Sequence, residues 1–130
     1  MLKKYLDKAN YAVVFTGAGM STESGLPDFR SSNQGLWRKK DPSKLASTNA
    51  LNENVNEFID FYRERVLGVK EYNAHEGHYI LADWERRGII QSIITQNVDG
   101  FHQQAGSKRV AELHGTLQKL HCQKKRFNLH

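Results

Sequence analysis

Cysteine is nearly missing from this chain: its 130 residues hold one, Cys122. No intrachain disulfide can form, which predicts a reducing, cytoplasmic setting. Long apolar runs are missing as well. No stretch approaches the roughly 20 residues that a membrane span needs, so no membrane partner is expected. The start, Met1-Leu2-Lys3-Lys4-Tyr5-Leu6, lacks the apolar core of a signal peptide. There is no internal repeat and no low-complexity linker, and the length suits one modest domain. The net charge is +5, with Lys119, Lys124, Lys125 and Arg126 near the end. No aromatic residues are interleaved there as a base-stacking platform would require. A solvated basic surface is expected, and no nucleic-acid partner.

The sequence contains an alternation of helical and strand patterns. Leu2, Tyr5, Leu6 and Ala9 recur at helical spacing, and Asn10 can close that helix. Tyr11 to Thr16 reads as a buried strand running into the turn Gly17-Ala18-Gly19. Residues 31–50 are polar and punctuated. Val55, Phe58, Ile59, Tyr62 and Val66 share a helical face, with Gly68 as the stop. Asn73 and Glu76 look like a capping pair for a helix that buries Tyr79, Ile80, Leu81 and Trp84. Ile89 to Thr95 and Val110 to Leu113 read as two further strands. This order predicts an α/β fold with a parallel sheet, whose ligands bind at the carboxyl ends of its strands.

Polar motifs stand at those ends. Glycines after the first strand let backbone amides approach a pyrophosphate. Alone, the turn is equally compatible with a tight strand-to-helix connection, because Thr22 stands where the usual dinucleotide fingerprint has glycine. Thr95-Gln96-Asn97-Val98-Asp99 follows the second strand and alone is compatible with a helix cap. Of the six histidines, His75, His78, His102, His121 and His130 are expected at surfaces or caps. His75 and His78 do not make a metal site by themselves. His114 differs, because it sits at a strand end before Gly115.

Together the motifs identify a family. Gly17-Ala18-Gly19-Met20-Ser21-Thr22-Glu23-Ser24-Gly25-Leu26-Pro27-Asp28-Phe29-Arg30 resembles the sirtuin signature. Thr95 to Asp99 and Glu112-Leu113-His114-Gly115-Thr116 resemble the second and third sirtuin motifs. Sirtuins are NAD-dependent protein-lysine deacylases. The resemblance implies a Rossmann-like parallel sheet with a helical insertion over about residues 33–87 and a zinc module starting over about residues 117–130. It implies that Gly17, Ala18, Gly19 and Ser21 line NAD, and that Asp28, Phe29 and Arg30 form a loop over the nicotinamide ribose. Gln96 and Asn97 would contact the ribose and nicotinamide pocket, Asn97 with a part in catalysis. Asp99 and the Val98 backbone would hold the carboxamide, whose donor and acceptor atoms suit that pairing. His114 would be the general base, since imidazole titrates near neutrality.

The implied reaction moves an acyl group from a protein lysine to ADP-ribose and releases nicotinamide, with acetylated proteins as partners. Family members acting on acidic acyl groups use a Tyr and Arg pair in the helical module. Aligned through Gly68 to Ala74, Arg63 matches the Arg and Asp60 occupies the Tyr position. A carboxylate there predicts acetyl or other neutral acyl groups.

The chain departs from the family after His114. Sirtuins carry zinc on two Cys-x-x-Cys pairs. Cys122 stands at the first position, Lys125 at the second, and the other pair is absent. The resemblance runs to about residue 124, about half of a family catalytic core. Later strands and the acyl-lysine segment are missing. The expectation is a truncated or frameshifted chain, inactive alone, with a residual NAD-binding module or a non-functional fragment as alternatives.

Overall fold

The computed structural model describes residues 1–26, 45–121 and 128–129. The elements run α1 (Leu2–Lys8), β1 (Val13–Thr16), a 3-10 helix (Ala18–Ser24), α2 (Thr48–Glu53), α3 (Val55–Lys70), α4 (Glu76–Arg86), β2 (Ser92–Thr95), α5 (Phe101–Gln104), β3 (Val110–Glu112), β4 (Leu120–His121) and β5 (Asn128–Leu129). The predicted order of helix, strand, glycine turn, helices and two further strands is present.

The main sheet has the order β1-β2-β3 and is parallel throughout. Thr16 pairs with Thr95, and Thr95 with Glu112, so all three strands end at one level. Both crossovers contain helices, as parallel pairing requires. The middle strand carries the core. Ile93 is fully buried, beside buried Ile90 and Phe101. A separate antiparallel pair joins β4 and β5.

Three expectations need correction. β1 is not a buried strand, because Phe15 is 60% exposed and only Thr16 is buried. It lies at the sheet edge, with no strand outside it among the described residues. Helix α3 runs through Gly68 to Lys70, and its buried side is centred on Phe61 and Val69 rather than on Val55 and Ile59. A 16-residue helix with buried Val69 directly after the glycine tolerates it near its last turn. Helix α4 is capped by His75, not by Asn73 and Glu76. The His75 ring accepts from Gly77 N, while His78 Nδ1 accepts from His75 N at 3.2 Å. With the cap there, the inward face of α4 is His78, and Tyr79 and Ile80 are exposed.

Candidate active site at the strand ends

The chain leaves β1 at Gly17 in extended conformation and turns into a 3-10 helix. Gly25 closes that helix in the left-handed region, φ 86°, where a Cβ would be strained. A 3-10 rather than an α-helix places its buried hydroxyl, Ser21, over the end of β2. There Ser21 Oγ donates to Asp99 Oδ2 at 2.7 Å. The amide of Asn97 donates to Gly17 O at 3.0 Å and to Ser21 Oγ at 3.1 Å. The other oxygen of Asp99 accepts from Phe101 N at 2.9 Å. Asp99 is 4% exposed, so this pairing is what makes its burial tolerable.

The loop after β3 is tied to the same place. Leu113 N donates to Thr95 O at 2.9 Å and Leu117 N to Val98 O at 3.0 Å. Gln118 Nε2 reaches Asp99 O at 2.8 Å. Gly115, φ 80°, makes the turn that brings exposed His114 to the rim.

These elements enclose a cavity of about 540 Å³. Ala18, Ser21, Gln96, Asn97, Val98, Asp99 and His114 all line it, from three separate strand ends. Gly17 and Gly19 belong to the turn beneath, where Gly17 contributes its carbonyl. Asp28, Phe29, Arg30 and Cys122 lie outside the described residues.

The far wall was missed in the sequence. Tyr62 and Arg65 of α3 line the cavity with Val69, Leu26 and Ala46. Burial pushes the Arg65 pKa below its ordinary value, while Tyr62 acts in the opposite direction. Asp60 and Arg63, the expected pair, instead bond to each other at 2.8 Å on the exposed side. Asp60 and Arg63 lie off the apolar stripe of α3, and the same i,i+3 spacing of Tyr and Arg is met two residues later, at Tyr62 and Arg65. That spacing was the signal that would have found them.

Beneath the site lie histidines that were expected at surfaces or caps; His75 and His78 do cap α4, and His102 is neither. His78 and His102 are buried, with ring centroids 4.9 Å apart, and His75 meets His78 edge-on at 4.5 Å. Burial pushes the His78 pKa down to about 4, with His102 and His75 adding to the effect and Asp99 opposing it. Burial also lowers the pKa of His102, again against Asp99.

A parallel α/β chain with a polar cavity at the carboxyl ends of its strands is Rossmann-like. Comparison with known proteins narrows that class. The Sir2 family model matches residues 17–130, and the chain belongs to that family, the sirtuins. It is 72% identical over 123 residues to an NAD-dependent protein deacetylase of Oceanobacillus iheyensis, covering 95% of this chain and 52% of that relative. It is 55% identical to NAD-dependent protein deacetylase 1 of Geobacillus kaustophilus, covering 95% and 51%. A crystal structure of a Sir2 homologue with NAD is 36% identical with a TM-score of 0.88, covering 99% of this chain and 50% of that one. A Sir2 structure with a deacetylated peptide and 3'-O-acetyl ADP-ribose is 34% identical with a TM-score of 0.81, covering 98% and 52%. The chain thus spans about half the length of the curated relatives it matches. Among the described residues no helix is long and apolar enough to cross a membrane.

Proposed function

We propose that this chain forms the NAD-binding half of a protein-lysine deacylase site. The carrying observation is that Ala18, Ser21, Gln96, Asn97, Val98, Asp99 and His114 meet around one cavity. NAD is the co-substrate, and the donor set fits it. The turn at Gly17 to Gly19 offers a close backbone approach to the pyrophosphate, with Ser21 beside it. Asn97 offers an amide to a ribose hydroxyl. Val98 and Asp99 offer a backbone group and a carboxylate to the carboxamide. His114, exposed at the rim, accepts a ribose hydroxyl proton as general base.

The family zinc site of two Cys-x-x-Cys pairs takes four thiolates, of which these 130 residues hold Cys122 alone. Among the described residues no cluster of three or more metal-ligating side chains forms.

The acyl range is wider than the sequence implied. Asp60 is turned away and paired with Arg63, so its expected repulsion of acidic acyl groups does not operate. The phenol of Tyr62 and the guanidinium of Arg65 stand at the cavity wall and suit a carboxylate-bearing acyl group as well as acetyl.

Isothermal titration of the 130-residue chain with NAD tests the binding half. Nicotinamide release from acetyl-lysine and succinyl-lysine peptides tests turnover. Binding without turnover is the expected result for this chain alone. Failure to bind NAD removes the reading.

A further inference from the structure

Three buried polar side chains behind the cavity have no place in the reading above. Thr16 is 7% exposed, Thr95 2% and His102 1%. Thr16 and Thr95 are register partners at the ends of β1 and β2, where parallel strands ordinarily bury apolar residues. Their hydroxyls bond to each other at 2.8 Å, and Thr16 Oγ1 also contacts His102 Nε2 at 2.9 Å. Thr95 Oγ1 accepts from Asn97 N at 3.0 Å. The chain of bonds runs from an imidazole on α5, through both hydroxyls, to the backbone of a residue that lines the cavity.

We infer that His102, Thr16 and Thr95 are positioning residues that set the orientation of Asn97 toward the ligand. Resting on the reading that the cavity takes NAD, this deepens it. The direction of the bonds supports it. With Nε2 of His102 donating to Thr16, the Thr16 hydrogen is directed to Thr95. Thr95 then faces the Asn97 N–H with a lone pair, and such a chain strengthens each of its members. The backbone of Asn97 is fixed where it leaves β2. Its side-chain amide is fixed at the other end by Gly17 O and Ser21 Oγ. The polar atom that remains is the acceptor Oδ1, which suits a ribose hydroxyl. A buried hydroxyl pair that only filled space would be better replaced by valines.

Thr95→Val keeps the side-chain shape and removes the hydroxyl, and Thr95→Ser restores it. His102→Phe keeps the ring and removes the donor. NAD and ADP are the probes, since ADP lacks the nicotinamide ribose that Asn97 would meet. T95V is expected to weaken NAD binding about tenfold while leaving ADP binding unchanged, with T95S near wild type. H102F is expected to weaken NAD binding in the same direction by a smaller factor. Equal losses for both ligands, or none, overturn the inference. If T95V does not fold, H102F decides alone by the same comparison. The Asn97 side-chain amide resonances of the ligand-free proteins keep this inference separable from the NAD reading. They are expected to move in T95V and H102F and to return in T95S, even if NAD does not bind. Unchanged resonances overturn the positioning role.

Discussion

Acidification is expected to destabilise this chain through its buried imidazoles, His78 foremost, with His102 adding in the same direction. His78 is fully buried, and its pKa falls from 6.5 to about 4 on folding. Its Nδ1 accepts from the backbone of His75, so the neutral ring is the form that the fold requires. Between those two values the unfolded chain binds a proton that the folded chain refuses. Stability is therefore complete above the unfolded pKa and declines as pH falls toward 4. At about 1.4 kcal/mol per unit, roughly 2 kcal/mol is lost by pH 5 and about 3 kcal/mol by pH 4. Urea unfolding at pH 7.5 and pH 5.0 measures this. A loss of about 2 kcal/mol moves the midpoint by roughly 1 M. His78→Asn retains an acceptor for His75 N and cannot be protonated. Most of the midpoint shift between the two pH values is expected to vanish in H78N. An equal shift in H78N and wild type would place the acid sensitivity elsewhere and refute the argument.

Two substitutions test the packing around the site. Gly100→Ala puts a Cβ at φ 77° and 2.7 Å from Gln118 Cγ. It should cost about 1–2 kcal/mol in thermal unfolding and displace Gln118 from Asp99 O. Ile93→Ala empties the centre of β2, where the side chain has no exposure. A loss of about 3 kcal/mol is expected in denaturant unfolding, and a loss below 1 kcal/mol would mean the sheet collapses to fill the space.

The strand ends were legible because parallel α/β chains concentrate polar motifs there. Gly17 to Ser21, Gln96 to Asp99 and His114 come from three segments far apart in sequence, and the fold brings their lining members to one cavity. The helical wall was less legible. Phe58, Ile59, Phe61, Tyr62, Val66 and Val69 spread over nearly half of the α3 circumference, so hydrophobicity alone fixes the helix phase only loosely. The fold fixes it, by placing Tyr62, Arg65 and Val69 in one cavity lining with Leu26 and Ala46. The capping role of His75 and His78 was legible, but the burial of His78 and His102 was not. A neutral imidazole is as compatible with a core as with a surface, and only its partners decide. His102 goes inside because Thr16 offers it a bond there. Nothing within two turns of His102 in the sequence signals that partner.

The parallel order of the sheet also bears on how it assembles. Thr16 and Thr95, partners in the β1–β2 pair, are 79 positions apart in the sequence. Ile93 and Val110, partners in the β2–β3 pair, are 17 apart (110 minus 93). Closing the longer loop costs roughly 1.4 kcal/mol more in chain entropy. The pair formed by β2 and β3 is therefore the natural nucleus, and β1 joins a preformed edge. During synthesis β1 leaves the ribosome first and pairs last, so its exposed Phe15 waits in solvent through most of translation.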